Sequence, residues 1–404
     1  MGQMVIIGAG MAGHRAVIGL RASGYEGPVT LIGEEALMPY DRPPLSKSAI
    51  TEEAEPKPIW LMDNDIAASL KCETRCNAAA IGIDRAARKV RLSDGSEVGY
   101  TKLLLATGAK PRLLSVPGAE HARTLRNFED AVALRKAFVP GKRIVIIGGG
   151  FIGLELASSA VKRGASVTLI EALPRLLMRG VPEPIARIVH ERHVAAGVDL
   201  HVGIGIASIG PNSVHLSDGR EIAADTVIAG IGAVPDIRLA QAAGLQIDNG
   251  IAVDATLKTS DPDIYAAGDC CSFPHGLFGG TRIRLEAWRN AQGQGMLAGE
   301  NMMGAAKEFH AVPWFWSDQY EFSLQVSGLP SAGSRVVERR SGPDSLLLFH
   351  LAEDGRLVGA SGIGIGNSIA RDVKLAEMLI AKRASPAAEA LADPAVALKS
   401  LVKG

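Results

Sequence analysis

Apolar and small residues along this chain fall into one pattern that occurs twice. Val5-Ile6-Ile7-Gly8-Ala9-Gly10-Met11-Ala12-Gly13 returns as Ile144-Val145-Ile146-Ile147-Gly148-Gly149-Gly150-Phe151-Ile152-Gly153. In each copy a short, continuously apolar run predicts a buried strand, and a G-x-G-x-x-G turn follows it. A helical stretch comes next, Met11 to Ser23 and Phe151 to Arg163, and a glycine closes it at Gly24 and Gly164. A second strand, Val29 to Ile32 or Val167 to Ile170, then runs towards an acid, Glu34 or Glu171.

One such glycine turn carries little information; two, each set between strand and helix with an acid about 20 residues on, point to two dinucleotide sites. The first glycine permits the tight turn, the second lets backbone amides approach a pyrophosphate, and the third lets helix and strand pack closely. The helix N-terminus offers its partial positive charge to the phosphates, and the acid accepts from the ribose hydroxyls. The alternative is a pair of ordinary glycine-rich turns. Two sites imply two dinucleotides, with FAD held permanently by the first and NAD(P)H visiting the second.

The likeness between the two parts extends past the glycine turns. Arg88 to Leu92 and Val98 to Leu105 read as strands around Ser93-Asp94-Gly95, and the second leads into Ala106-Thr107-Gly108-Ala109-Lys110-Pro111. Val214 to Leu216, the turn Ser217-Asp218-Gly219 and the run from Val227 to Asp236 repeat that arrangement. A third strand, Ile264 to Ala267, runs into Gly268-Asp269. Further β-like runs (Ser323 to Val326, Ser345 to His350, Leu357 to Ser361) precede a helical run from Asn367 to Lys382.

At 404 residues the chain calls for two or three domains rather than one core. Its 43 Lys and Arg balance 43 Asp and Glu, which argues against nucleic acid as a bulk partner and leaves any charged partner to a local patch. The chain enters its first strand without a basic leader, so no signal peptide is expected. Ile6 stands where a myristoylation signal needs Ser or Thr. No apolar run approaches the roughly 20 residues of a membrane helix. Cys72, Cys76, Cys270 and Cys271 have neither C-x-x-C spacing nor a histidine cluster beside them. Neither a metal site nor a disulfide framework is expected, and a reducing cytoplasm fits.

Four stretches carry a resemblance to a known family: Arg42-Pro43-Pro44-Leu45-Ser46-Lys47, Leu103-Leu104-Leu105-Ala106-Thr107-Gly108, Tyr265-Ala266-Ala267-Gly268-Asp269-Cys270 and Trp316-Ser317-Asp318-Gln319. With them the chain resembles, over essentially its full length, the flavoproteins that include glutathione reductase. Within that family it is most similar to the NADH-dependent ferredoxin reductases serving bacterial oxygenases. The resemblance implies an α/β fold with two Rossmann-like dinucleotide-binding domains, the NAD domain inserted in the FAD domain, and a C-terminal α+β domain that covers the flavin. The FAD domain is expected at 1–110 and 237–311, the NAD domain at 111–236 and the C-terminal domain at 312–404.

The same resemblance implies the site residues. FAD contacts are expected from Gly8, Gly10, Ala12, Gly13, Glu34, Lys47, Ala78, Thr107, Gly108, Arg126, Asp269, Trp288 and Trp316, the alanines acting through backbone. NAD contacts are expected from Gly148, Gly150, Ile152, Gly153, Glu171 and Gly232. Some of these residues have plainer readings. Asp269 would bond a ribityl hydroxyl, or else cap a helix. Arg126 would bind FAD, or else be a surface arginine. Trp288, just before a helical run, and Trp316 would lie beside the flavin, or else fill a core. Glu155 would partner Lys47 at the flavin N5 edge, or else be a first-turn acid favoured by the helix dipole.

The expected reaction is hydride transfer from NADH to FAD, followed by single-electron release to a 2Fe–2S ferredoxin serving an oxygenase, a cytochrome P450 or a ring-hydroxylating dioxygenase. Rubredoxin is the alternative acceptor. A disulfide, peroxide or oxygen reductase of the same fold needs a cysteine near residues 40–50, and no cysteine precedes Cys72. A nucleotide-sensing or nucleic-acid-binding flavoprotein needs a basic surface, which the balanced charge does not supply. Glu171 favours NADH over NADPH, although Arg175 and Arg179 lie downstream. Arg289, Arg335, Arg339, Arg340, Lys382 and Arg383 are the basic residues available to dock an acidic partner. The chain is expected to be a monomer or weak homodimer, without a membrane or nucleic-acid partner.

Overall fold

A computed structural model describes residues 2–342 and 345–403. The chain divides into two units. One contains Met1–Asp41, Pro58–Lys110 and Val234–Pro313; the other contains Arg42–Lys57, Pro111–Ala233 and Trp314–Gly404.

In the first unit the leading apolar run forms the strand Met4–Ile7 at the centre of a five-stranded parallel sheet. Val29–Ile32 and then Cys72–Arg75 lie on one side of it; Lys102–Leu105 and then Ile264–Ala266 lie on the other. Val5, Ile6, Leu104 and Ile264 have no exposed surface, as expected where helices cover both faces of a parallel sheet. The helices Met11–Ala22 and Trp288–Met302 pack closely because glycines line their seam. A Cβ on Gly295 would stand 2.2 Å from the Ala12 carbonyl oxygen, and one on Gly299 would stand 2.4 Å from that of Ala16. The run Val98 to Leu105 is not one strand. Glu97–Gly99 closes an antiparallel meander with Ala80–Asp84 and Lys89–Leu92, and Lys102–Leu105 then joins the parallel sheet beside Met4–Ile7. The chain changes sheets there, so the strand has to break.

The second unit repeats the arrangement around Arg143–Ile147, the middle strand of another five-stranded parallel sheet. Ser166–Glu171 and Asp199–Val202 flank it on one side, Thr226–Ala229 and the two-residue strand Ala122–Arg123 on the other. The same unit holds a five-stranded antiparallel sheet in the order Trp314–Gln319, Phe322–Gly328, Leu357–Ile365, Ser345–Leu351, Arg335–Gly342. The helix Ala370–Ala381 covers it, three residues shorter at its start than the expected run. One apolar cluster joins Ile146, Leu154 and Ile228 to Leu324, Leu346 and Ile363. The stretches read from sequence as separate NAD and C-terminal domains therefore share a core.

Candidate functional site

Each glycine turn leaves the C-terminal end of the central strand of its sheet, the place where open α/β sheets bind ligands. In the first unit Gly8 has φ +117°, and a Cβ there would lie 2.0 Å from the Ala106 carbonyl oxygen. A Cβ on Gly13 would lie 1.9 Å from the carbonyl oxygen of Gly8 itself, so the third glycine is needed by the turn as much as by packing on the sheet. Gly10 has nothing within 4 Å of its would-be Cβ, and no side chain caps the helix that begins beside it. Open space before uncapped amides suits a phosphate.

Unpartnered buried atoms sharpen this. Asn290 Oδ1 and Gln294 Nε2 on the Trp288–Met302 helix, and His14 Nδ1 on the Met11–Ala22 helix, are buried without a hydrogen-bond partner. Burying such groups costs about 1–3 kcal/mol each unless a ligand or water satisfies them. The Gln294 side-chain oxygen accepts from Gly268 N–H at 2.8 Å, which ties this helix to the Gly268-Asp269 turn. The residues present fit a dinucleotide with hydroxyls and a pyrophosphate. The strand Cys271–His275 follows Asp269, so Asp269 is not a helix cap. Trp288 opens its helix rather than preceding it, and its Nε1–H donates to Asp41 at 2.6 Å. The Thr107 hydroxyl donates to the Asp236 carbonyl at 2.6 Å, beside Gly108 with φ +69°. Glu34 is largely exposed and lies 3.7 Å from Lys110, while Ala78 is buried with its N–H on the Gly33 carbonyl.

The second unit reproduces the turn. Gly148 has φ +111°, its would-be Cβ lies 2.4 Å from the Gly230 carbonyl oxygen, and that of Gly153 lies 2.0 Å from the Gly148 carbonyl oxygen. Gly150 meets only the Gly230 carbonyl, at 4.0 Å, and Gly232, with φ +100°, meets nothing. The Glu171 carboxylate accepts from the N–H groups of Gly149 and Leu173, both at 2.7 Å, and so lies against the glycine turn. Arg175 is turned away to the carbonyls of Leu176, Met178 and Val181. Ile152 leaves an apolar side chain 45% exposed at the start of the helix.

Lys47, Arg126, Glu155 and Trp316 also fall in the second unit. Lys47 Nζ stands 3.1 Å from Glu155 Oε1, and Glu155 is only 5% exposed. Glu155 is the fifth residue of the helix Phe151–Lys162, beyond the first turn, so the dipole does not account for it. Ser46 and Ser317 hydroxyls also donate to its carboxylate, the latter at 2.7 Å. The Lys47 ammonium lies 5.6 Å from the centre of the Trp316 ring, which stacks on Trp314 at 5.2 Å. Arg126 immediately precedes the capping box Asn127–Asp130, and its N–H donates to Asp130 at 2.8 Å.

Sequence reasoning missed Asp41, Asn290 and Gln294 altogether. Ser46 and Ser317 lay inside stretches already quoted for the resemblance, which was the available signal. The four thiols are free, and burial pushes Cys72 up to about 11 and raises the other three. The list of docking cations also shortens. Arg339 is buried, and its guanidinium donates to the carbonyls of Leu391, Asp393, Pro394 and Val396. Arg340 pairs with Glu338, and the Lys382 ammonium bonds the Val402 carbonyl. Among the described residues no helix is long and apolar enough to cross a membrane, and no group of three or more His, Cys, Asp or Glu could hold a metal.

Residues 2–295 match the family described as pyridine nucleotide-disulphide oxidoreductase, and residues 314–402 match the reductase C-terminal domain. The chain belongs to the pyridine nucleotide-disulphide oxidoreductase family. It is 39% identical to the ferredoxin–NAD(+) reductase component of the anthranilate 1,2-dioxygenase system of Burkholderia cepacia, over 98% of both chains. It is 40% identical to a rubredoxin–NAD(+) reductase of Pseudomonas putida, covering 80% of this chain and 86% of the relative. The crystal structure of a covalent putidaredoxin reductase–putidaredoxin complex matches with a TM-score of 0.93 at 35% identity, covering 100% of this chain and 98% of that one.

Proposed function

We propose that this chain is a cytoplasmic NADH:ferredoxin oxidoreductase that holds FAD and passes electrons singly to a small 2Fe–2S protein serving an oxygenase. The observation that carries the reading is the pair of glycine turns, each closed by its own carbonyl and open in front of its middle glycine. Gly8, Gly10, Ala12, Gly13, Asp269 and the Asn290–Gln294 face would hold FAD; Gly148, Gly150, Ile152, Gly153, Glu171 and Gly232 would receive NADH.

FAD supplies the chemistry when bound, taking up two electrons as hydride and giving them out one at a time. The protein positions and charges the site. Glu155 fixes the Lys47 ammonium, and a buried carboxylate without such a cation would be costly. Overall, NADH and two oxidised ferredoxins give NAD+, two reduced ferredoxins and one proton.

Ferredoxin as acceptor is supported by the relatives named for ferredoxin and putidaredoxin; rubredoxin is the second reading, supported by the relative named for it. Purified holoenzyme with NADH, offered a 2Fe–2S ferredoxin or a rubredoxin from the same source, separates them. Faster turnover with ferredoxin is expected. Faster turnover with rubredoxin would replace the acceptor, and reduction of neither would refute the function.

A further inference from the structure

Glu155 does not end the polar cluster around Lys47. A carboxylate can only accept, so the Ser317 hydroxyl must spend its proton on Glu155. Its oxygen then accepts from the Gln319 side-chain N–H at 3.2 Å, which turns the Gln319 oxygen to His193 Nε2, 2.9 Å away. That nitrogen must therefore carry the imidazole proton. Nδ1 is left as an acceptor for the Tyr320 hydroxyl at 3.3 Å. Every link donates in one direction, from Tyr320 through His193, Gln319 and Ser317 to Glu155. His193 is fully buried, and burial holds it neutral with a pKa of about 4, which leaves it a single ring proton.

The geometry around the hairpin tip is independent support. Tyr320 and Glu321 form the turn between Trp314–Gln319 and Phe322–Gly328, and Tyr320 has φ +55°, a conformation that a bulky residue adopts only when its surroundings impose it. The two-residue hairpin turn itself calls for positive φ at its first residue, and the helix Glu183–Ala195 packs on the side chains that the turn presents. Arg192 donates to Glu321 at 2.7 Å and lies 4.1 Å from the Tyr320 ring centre, and the His193 ring meets that ring edge-on at 5.0 Å. The Tyr320 N–H also donates to Ser158, on the helix that carries Glu155.

We propose that His193 and Gln319 are positioning residues that act through Ser317 to hold Glu155, and with it the Lys47 ammonium, in the geometry needed for flavin reduction by NADH. The strained turn sets Gln319 and Tyr320 where His193 reaches both. Helix and hairpin together aim the last donor at the carboxylate. The inference rests on the function proposed above only where a rate is the readout.

Two measurements test it. Nitrogen-15 NMR of the histidine-labelled full chain near neutral pH, with His193 assigned by loss of its signals in His193→Gln, should show the Nε2–H tautomer. The Nδ1–H tautomer, or a charged ring, would overturn the relay whatever the enzyme catalyses. Stopped-flow reduction of the holoenzyme by NADH should then compare His193→Phe, His193→Gln and Gln319→Leu. Phe keeps the ring's packing but loses the donor; Gln keeps a donor at the place of Nε2 but packs less well. The relay requires His193→Gln to be reduced about tenfold faster than His193→Phe, with NADH affinity similar in both. If His193→Phe does not fold, Gln319→Leu takes its place in the comparison. A rate for Phe equal to or above that of Gln would reduce His193 to packing. Failure of the unmutated enzyme to be reduced by NADH would instead sink the proposed function and leave the tautomer result standing.

Discussion

Glu171 illustrates how one side chain can set coenzyme choice. Its carboxylate is pinned by the N–H groups of Gly149 and Leu173, and on the proposed function it would meet the adenosine ribose of NADH as a fixed acceptor. Ribose hydroxyls can donate to it, whereas a 2′-phosphate would meet like charge. Of the two downstream cations that could offset this, Arg175 is spent on three backbone carbonyls, while Arg179 is exposed. The expected outcome is a kcat/KM for NADH at least about tenfold above that for NADPH, falling towards parity in Glu171→Ala. Steady-state rates with both coenzymes check it; equal values in the unmutated enzyme would refute it. Glu171 was legible in sequence because it ends a strand after a glycine motif. The disposition of Arg175 was not, since a long flexible cation has no sequence signal for which carbonyls it will reach. His193 was illegible for a similar reason, as one histidine on a helix face reads as core until the hairpin beside it is seen.

At the level of elements, the repeat told most of what mattered. Two glycine turns were readable because the first and third glycine of each answer a steric demand, and the same carbonyl clashes recur at Gly13 and Gly153. The break in the Val98 to Leu105 run was not readable, because apolar residues look alike whichever sheet they join. On the proposed function the two turns divide the labour, the first holding FAD and the second receiving NADH, and that division is testable. A methyl group at Gly13 or Gly153 would sit about 2 Å from a carbonyl oxygen and must distort its own turn. Gly13→Ala should therefore purify with little or no flavin. Gly153→Ala should remain yellow and be bleached by dithionite, but not by NADH at concentrations that reduce the unmutated enzyme. Absorbance spectra of the two purified variants decide the matter, and the reverse pattern would exchange the assignments.

For the whole molecule, buried neutral histidines link stability to pH, His275 among them, its pKa lowered by burial. His14, His193 and His350 are each held at about 4, chiefly by burial, against about 6.5 when unfolded. A depressed histidine pKa means that unfolding takes up protons. The stabilisation is full above about pH 6.5 and is lost as pH falls towards 4, on the order of 3 kcal/mol for each group. Asp225, held down at about 2 by Arg143, acts only below this window. Thermal unfolding followed from pH 7.5 to 4.5 should show Tm falling below pH 6.5, and a flat profile would contradict it.

A disulfide reductase of this fold stores two electrons on flavin and two on a cysteine pair. In this chain the stretch from Arg42 to Lys47 contains no cysteine, and Lys47 is paired with Glu155. Cys270 and Cys271 are adjacent in sequence, fully buried and held protonated by burial. A thiol kept protonated is a poor nucleophile for disulfide chemistry. Anaerobic dithionite titration of the FAD-loaded enzyme is the most direct test. It should be complete at two electrons per flavin. Uptake of four would place a second redox centre in the protein and contradict the account.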